Sequence, residues 1–71
     1  MTYIVIELQV NVGGAVGNLV YAYTDRQQAE NKYHTILAAA AVSGLPCHSA
    51  VMIAEDGTPI QHQCYRHDVA E

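Results

Sequence analysis

"VNVGGAVGNLV", Val10 to Val20, decides the fold, because its glycines admit two incompatible readings. Three glycines fall within five residues after an apolar run, as in a loop that cradles phosphate. Such a loop joins a strand directly to the N-terminus of a helix. Gly13, Gly14 and Gly17 fit neither GxGxxG nor GxxxxGK[ST], and a β-like run follows them, not a helix. The other reading makes Gly13-Gly14 a two-residue hairpin turn, since glycine supplies the positive φ such turns need. That register pairs Val12 with Ala15, Val10 with Gly17, Leu8 with Leu19, Ile6 with Tyr21 and Ile4 with Tyr23. Core-side residues of one strand then meet core-side residues of the other, an agreement that a one-residue slip destroys. The stretch reads as a bend.

On the N-terminal side of this bend, residues 3–12 form a first strand with Ile4, Ile6, Leu8 and Val10 on the expected core face. Tyr3, Val5, Glu7 and Gln9 share its other face. Residues 15–23 form the second strand, with Leu19, Tyr21 and Tyr23 on one side and Val20 and Ala22 on the other. A helix follows over about residues 25–43. Thr24 is its expected N-cap, with Gln27 completing a capping box. Ala29, Tyr33, Ile36, Leu37 and Ala40 make one apolar stripe, and Gly44 and Pro46 close the helix.

Asp56-Gly57 then marks a second hairpin between strands over about 47–55 and 58–67. A two-residue turn pairs Ile53 with Ile60, Val51 with His62, Ser49 with Cys64 and Cys47 with Arg66, and this face is taken as the core side. Ala54, Met52, Ala50 and His48 lie on the other face, opposite Pro59, Gln61, Gln63 and Tyr65. The tail "DVAE" reads as loose. The expectation is one α+β domain over residues 1–71, ordered β-β-α-β-β. A four-stranded antiparallel sheet carries one helix packed on one face.

Composition narrows the function classes. A formal charge of −4, with only Arg26, Lys32 and Arg66 positive, argues against DNA or RNA as a partner. No apolar run is long enough to span a membrane. "MTYIVIELQV" lacks the basic start and small-residue cleavage site of a secretory signal, so the expected location is the cytoplasm. A 71-residue chain has a marginal core of its own and is commonly reinforced by disulfides, metal or oligomerisation. "SAVMIA" is apolar on both faces, Val5, Val20 and Ala22 crowd the expected outer face of the first hairpin, and the helix ends in "ILAAAAV". One helix cannot cover all of this, so the chain is expected to associate with itself.

Cys47, His48, His62, Cys64 and His67 include atom types that bind zinc, but their spacing matches no compact zinc pattern. Cys47 and Cys64 are diagonal across their hairpin, beyond ordinary disulfide reach, and read as reduced core thiols. A Cys–His nucleophile pair lacks any companion oxyanion signature or orienting carboxylate. No catalytic residue, metal ligand or cofactor is therefore assigned, and the chain does not read as an enzyme.

The tyrosines carry more. Five are present with no Phe or Trp. Tyr21, Tyr23 and Tyr33 are expected between helix and sheet, and Tyr3 and Tyr65 at the surface. Tyrosine suits binding surfaces because its ring is apolar, stacks on bases and ends in a hydrogen-bonding group. The candidate ligand-binding set is Tyr3, Tyr23, Arg26, Lys32, His48, Tyr65 and Arg66, converging across an oligomer interface on a small phosphate-bearing nucleotide ligand.

"YTDRQQAENKYHTILAAAAVSGLPCHSAVMI…DG" with "CYRH" resembles small proteins of phages and prophages of gut Firmicutes. The resemblance spans nearly the whole chain and brings no catalytic motif. It implies a viral protein in the host bacterial cytoplasm, acting either against host defence or in particle assembly. The first expectation is a non-catalytic homo-oligomer that counters host defence by sequestering a nucleotide-derived immune signal between subunits. The alternative is a structural or assembly component acting only through protein–protein contacts.

Overall fold

A computed structural model of the chain describes residues 1–67, and the expectation of a loose tail at 68–71 lies outside the described residues. The elements are β1 (Tyr3–Val10), β2 (Val16–Tyr23), α1 (Arg26–Ala41), β3 (Cys47–Ala54) and β4 (Pro59–Arg66). The strands form one antiparallel sheet in the order β2-β1-β3-β4, with the single helix on one face. The fold is α+β. No helix among the described residues is long and apolar enough to cross a membrane.

The residues buried on α1 are Ala29, Tyr33, Ile36, Leu37 and Ala40, the stripe expected from their spacing. The caps differ from expectation. Asp25, extended at φ −104° and ψ 121°, is the N-cap, and its carboxylate accepts from the Gln27 amide. The helix ends at Ala41, because the Val42 and Ser43 amides bond back three residues to the Ala39 and Ala40 carbonyls. This tightened last turn satisfies orphan carbonyls without a left-handed residue, and Gly44 has no positive φ.

Both hairpin loops are one residue longer than expected. The Asn11 amide donates to the Ala15 carbonyl and the Gly14 amide to the Asn11 carbonyl; Ala54, Thr58 and Gly57 repeat this pattern in the second hairpin. Each is a three-residue loop whose last residue is a glycine at positive φ, 84° at Gly14 and 92° at Gly57. Asn11 Oδ1 accepts from the Gly13 and Ala15 amides, and Asp56 Oδ1 from the Thr58 amide. Hydrogen bonding with Thr58 holds the Asp56 carboxyl below the usual range.

Gly14 and Gly57 are therefore not interchangeable with Gly13. A Cβ at either would meet no atom within 4 Å, so the penalty for alanine is backbone conformation alone. Gly14→Ala and Gly57→Ala are each expected to lower unfolding free energy by about 1–2 kcal/mol in denaturant titrations. Gly13→Ala, without positive φ, is expected to cost less than either.

The longer first loop moves the pairing by one residue. Val5 stands opposite Tyr21, Tyr3 opposite Tyr23 and Glu7 opposite Leu19. Tyr21 and Tyr23 remain on the helix side, so the shift transfers the helix side of β1 from the Ile4, Ile6, Leu8 set to Tyr3, Val5 and Glu7. This corrects the expected core face.

In the second hairpin the pairs Val51 with His62, Ser49 with Cys64 and Cys47 with Arg66 stand as expected. A bulge at Met52/Ile53 sets Ile53 opposite Pro59 instead of Ile60. The face assignment is again reversed: His48, Ala50, Met52 and Ala54 are the buried residues of β3. Val5 and Met52, a cross-strand pair with no exposed surface, centre the core with Ala50 below α1. Small side chains on both partners, Ala29 and Ala40 above and Ala50 and Ala54 below, allow close approach of helix and sheet. Tyr3 and Tyr65 are half-buried against this core, not free at the surface.

Candidate functional site

The loop-to-helix junction places Arg26 in the first turn of α1 and Lys32 six residues on, about 9 Å further along the axis. Below them the sheet presents Tyr3 from β1 and Tyr21 and Tyr23 from β2. The Arg26 guanidinium carbon lies 6.0 Å from the Tyr3 ring centre, and Lys32 Nζ lies 4.1 Å from that of Tyr21. Tyr23 is the cross-strand partner of Tyr3. Two of the chain's three cations thus stand over neighbouring tyrosine rings on the helix side of β1 and β2.

Contacts of this kind stabilise by only about 0.5–1 kcal/mol at exposed sites, so a ligand can displace them at small cost. Arg26 is also bonded to Glu30 at 3.0 Å, which offsets part of its charge and holds its pKa above the ordinary value. Lys32 forms no ion pair among the described residues. The helix side of β1 and β2 therefore offers planar rings for stacking beside one paired and one unpaired cation, a combination suited to a planar ring that carries phosphate.

The other three candidates lie elsewhere. His48 is on the helix side of β3, only 5% exposed, with Nε2 bonded to Glu7 Oε2 at 2.6 Å. Gln9 Nε2 donates to the same carboxylate oxygen at 3.0 Å, and His48 Nδ1 has no partner. Tyr65 lies on the β4 side of α1. There it helps line an open groove of about 550 Å³ between α1 and β4, with Tyr33, His34, Leu37, Gln61 and Gln63. Burial, then the neighbouring Tyr65, pushes the Tyr33 hydroxyl above its ordinary pKa. Arg66 stands on the far face of the sheet, opposite Cys47. Within one subunit the structure brings together Tyr3, Tyr23, Arg26 and Lys32, and not His48, Tyr65 or Arg66. Spacing along α1 could not foresee Tyr21 as the seat of Lys32, because that contact depends on which face of β2 meets the helix.

The residues considered for zinc are also divided between faces. His48 points toward the helix, while Cys47, His62 and Cys64 lie on the far face. His67 Nε2 is 2.8 Å from the Ala40 carbonyl oxygen. Among the described residues no group of three potential ligands converges. Cys47 and Cys64 are nevertheless in contact, with sulfurs 3.0 Å apart, which corrects the expectation that a diagonal pair stays out of reach. That bond, then burial, raises the Cys64 pKa and keeps the group a thiol. Both are free thiols outside the helix–sheet core, and Cys64 is exposed.

No protein family, curated protein or solved structure matches the chain.

Proposed function

We propose that this chain is a non-catalytic, homo-oligomeric phage protein that counters host defence by holding a nucleotide-derived immune signal in the bacterial cytoplasm. The observation that carries this reading is the pairing of Arg26 with Tyr3 and Lys32 with Tyr21 on the helix side of β1 and β2. Tyr23 beside Tyr3 extends the ring surface. Tyrosine rings stack on a base irrespective of its identity, and nearby cations meet its phosphates.

Calorimetric titration with cyclic di-AMP, cyclic tri-AMP and ADP-ribose tests the reading. Binding of at least one is expected, and Lys32→Ala is expected to weaken it about tenfold or more, the loss of one charge-assisted contact. Absence of heat with all three, or a Lys32→Ala affinity equal to wild type, overturns the proposal.

A second reading, a structural or assembly component of the particle, is favoured by the apolar sheet face opposite α1. It needs only protein–protein contacts. Detection of the chain in purified particles, together with no nucleotide binding, selects this second reading over the first.

A further inference from the structure

Helix α1 covers one face of the sheet, and the opposite face carries Ile4, Ile6 and Leu8 from β1 with Val51 and Ile53 from β3. Strands β1 and β3 are the two central strands, so these side chains stand in the middle of that face and not at its rim. Val20, opposite Ile6 on β2, is 62% exposed. Of the two central strands, β3 is apolar on both sides over residues 50–54, the run expected of a strand covered on both faces. Here the described chain supplies only one cover.

Three observations identify the second. The first is charge: of the charged residues in the described part, only Arg66 lies on this face, in the last position of edge strand β4. Apart from Arg66 at that rim, a charged partner finds no formal charge there to pair with. A second copy of a chain with net charge −4 can approach this face without bringing carboxylates together. The second is area. Four strands of eight residues cover about 500 Å² in plan at ordinary strand spacing and rise. Two copies bury about 1,000 Å² before side-chain relief is added, where specific interfaces begin. The third is shape, since two twisted sheets pack face to face about 10 Å apart with strands near 30° to one another.

We infer that a second copy of this chain packs on the open sheet face. The product is a two-fold dimer, with two sheets inside and a helix on each outer side. The inference names the surface of the self-association proposed above. It is independent of the ligand, because the tyrosine–cation contacts lie on the helix side of the sheet, outside the interface.

Sedimentation equilibrium over a concentration series tests it, with Ile6→Lys and Val20→Lys as variants. The wild type is expected as a dimer of micromolar or tighter Kd. Ile6→Lys, at the centre, is expected to raise Kd at least about a hundredfold, and Val20→Lys, near the edge, about tenfold. Both sites face away from the helix-side core, so circular dichroism of each monomer is expected to match wild type. Should Ile6→Lys fail to fold, Val20→Lys carries the test alone. A wild type that is monomeric throughout overturns both this inference and the self-association in the functional reading. An oligomer untouched by both lysines, but dissociated by Ala38→Glu on the exposed part of α1, overturns this inference only.

Discussion

Met52→Ala is expected to remove about 2–5 kcal/mol of unfolding free energy, a large share of the stability of so small a domain. Met52 is fully buried, pairs with Val5 across the two central strands, and belongs to the core formed with α1. Truncation leaves a void beneath the helix that Ala29 and Ala50, already minimal, cannot refill. Its neighbour Val51 is the instructive control. Val51 faces away from α1 and is half-buried, so Val51→Ala is expected to cost the monomer only about 1 kcal/mol or less while weakening the dimer. Denaturant titrations at concentrations below the dimer Kd separate the two effects. Equal losses for Met52→Ala and Val51→Ala in the monomer would mean that the faces of β3 are wrongly assigned.

Breaking the Glu7–His48 contact has the next largest expected effect. The imidazole is 6% exposed and the carboxylate 13%, so neither group recovers water when its partner is removed. Glu7→Ala is expected to cost about 2–4 kcal/mol, most of it from the buried imidazole left without an acceptor. His48→Ala is expected to cost a similar amount, lessened where Gln9 still serves the carboxylate. Replacing both together, Glu7→Leu with His48→Leu, removes the two polar groups at once and is expected to recover most of the loss. A double-mutant cycle of Glu7→Ala, His48→Ala and the two combined, followed by chemical denaturation, measures the coupling directly. A coupling of about 2 kcal/mol is expected, and additive single losses would show that the pair contributes little.

Element order and helix stripe were legible in the sequence because each rested on one unambiguous local signal. The helix pattern has a single apolar stripe, so Ala29, Tyr33, Ile36, Leu37 and Ala40 could be buried in only one way. The strands offered no such contrast. Ile4, Ile6, Leu8 and Val10 outrank Tyr3, Val5, Glu7 and Gln9 in hydrophobicity, and ranking alone therefore selects the wrong side for α1. What decides the face is loop length, and one extra residue in the first loop reverses β1. A readable clue was Asn11, whose side chain caps two amides of that loop and marks it as a turn residue.

The candidate site inherited the same difficulty. Arg26 and Lys32 were readable from the helix, and their tyrosine seats follow only once the helix side of β1 and β2 is known. His48 and Arg66 were drawn into the set by residue type, and pairing register separates them. His48 faces the helix with Glu7, and Arg66 faces the opposite way beside Cys47. Ranking side chains by hydrophobicity was nevertheless informative in another sense. Ile4, Ile6, Leu8, Val51 and Ile53 do need burial, and the inferred dimer provides it from outside the subunit.

An isotope-filtered methyl NOE experiment on a dimer mixed from labelled and unlabelled chains tests this two-sided arrangement most directly. Within a subunit, the Met52 methyl is expected to show contacts to Ile36 or Ala29. Between subunits, Ile4, Ile6 and Val51 are expected to show contacts to one another. Intrasubunit contacts from Ile6 and Val51 to Ile36 and Leu37, with Met52 silent toward the helix, would contradict it.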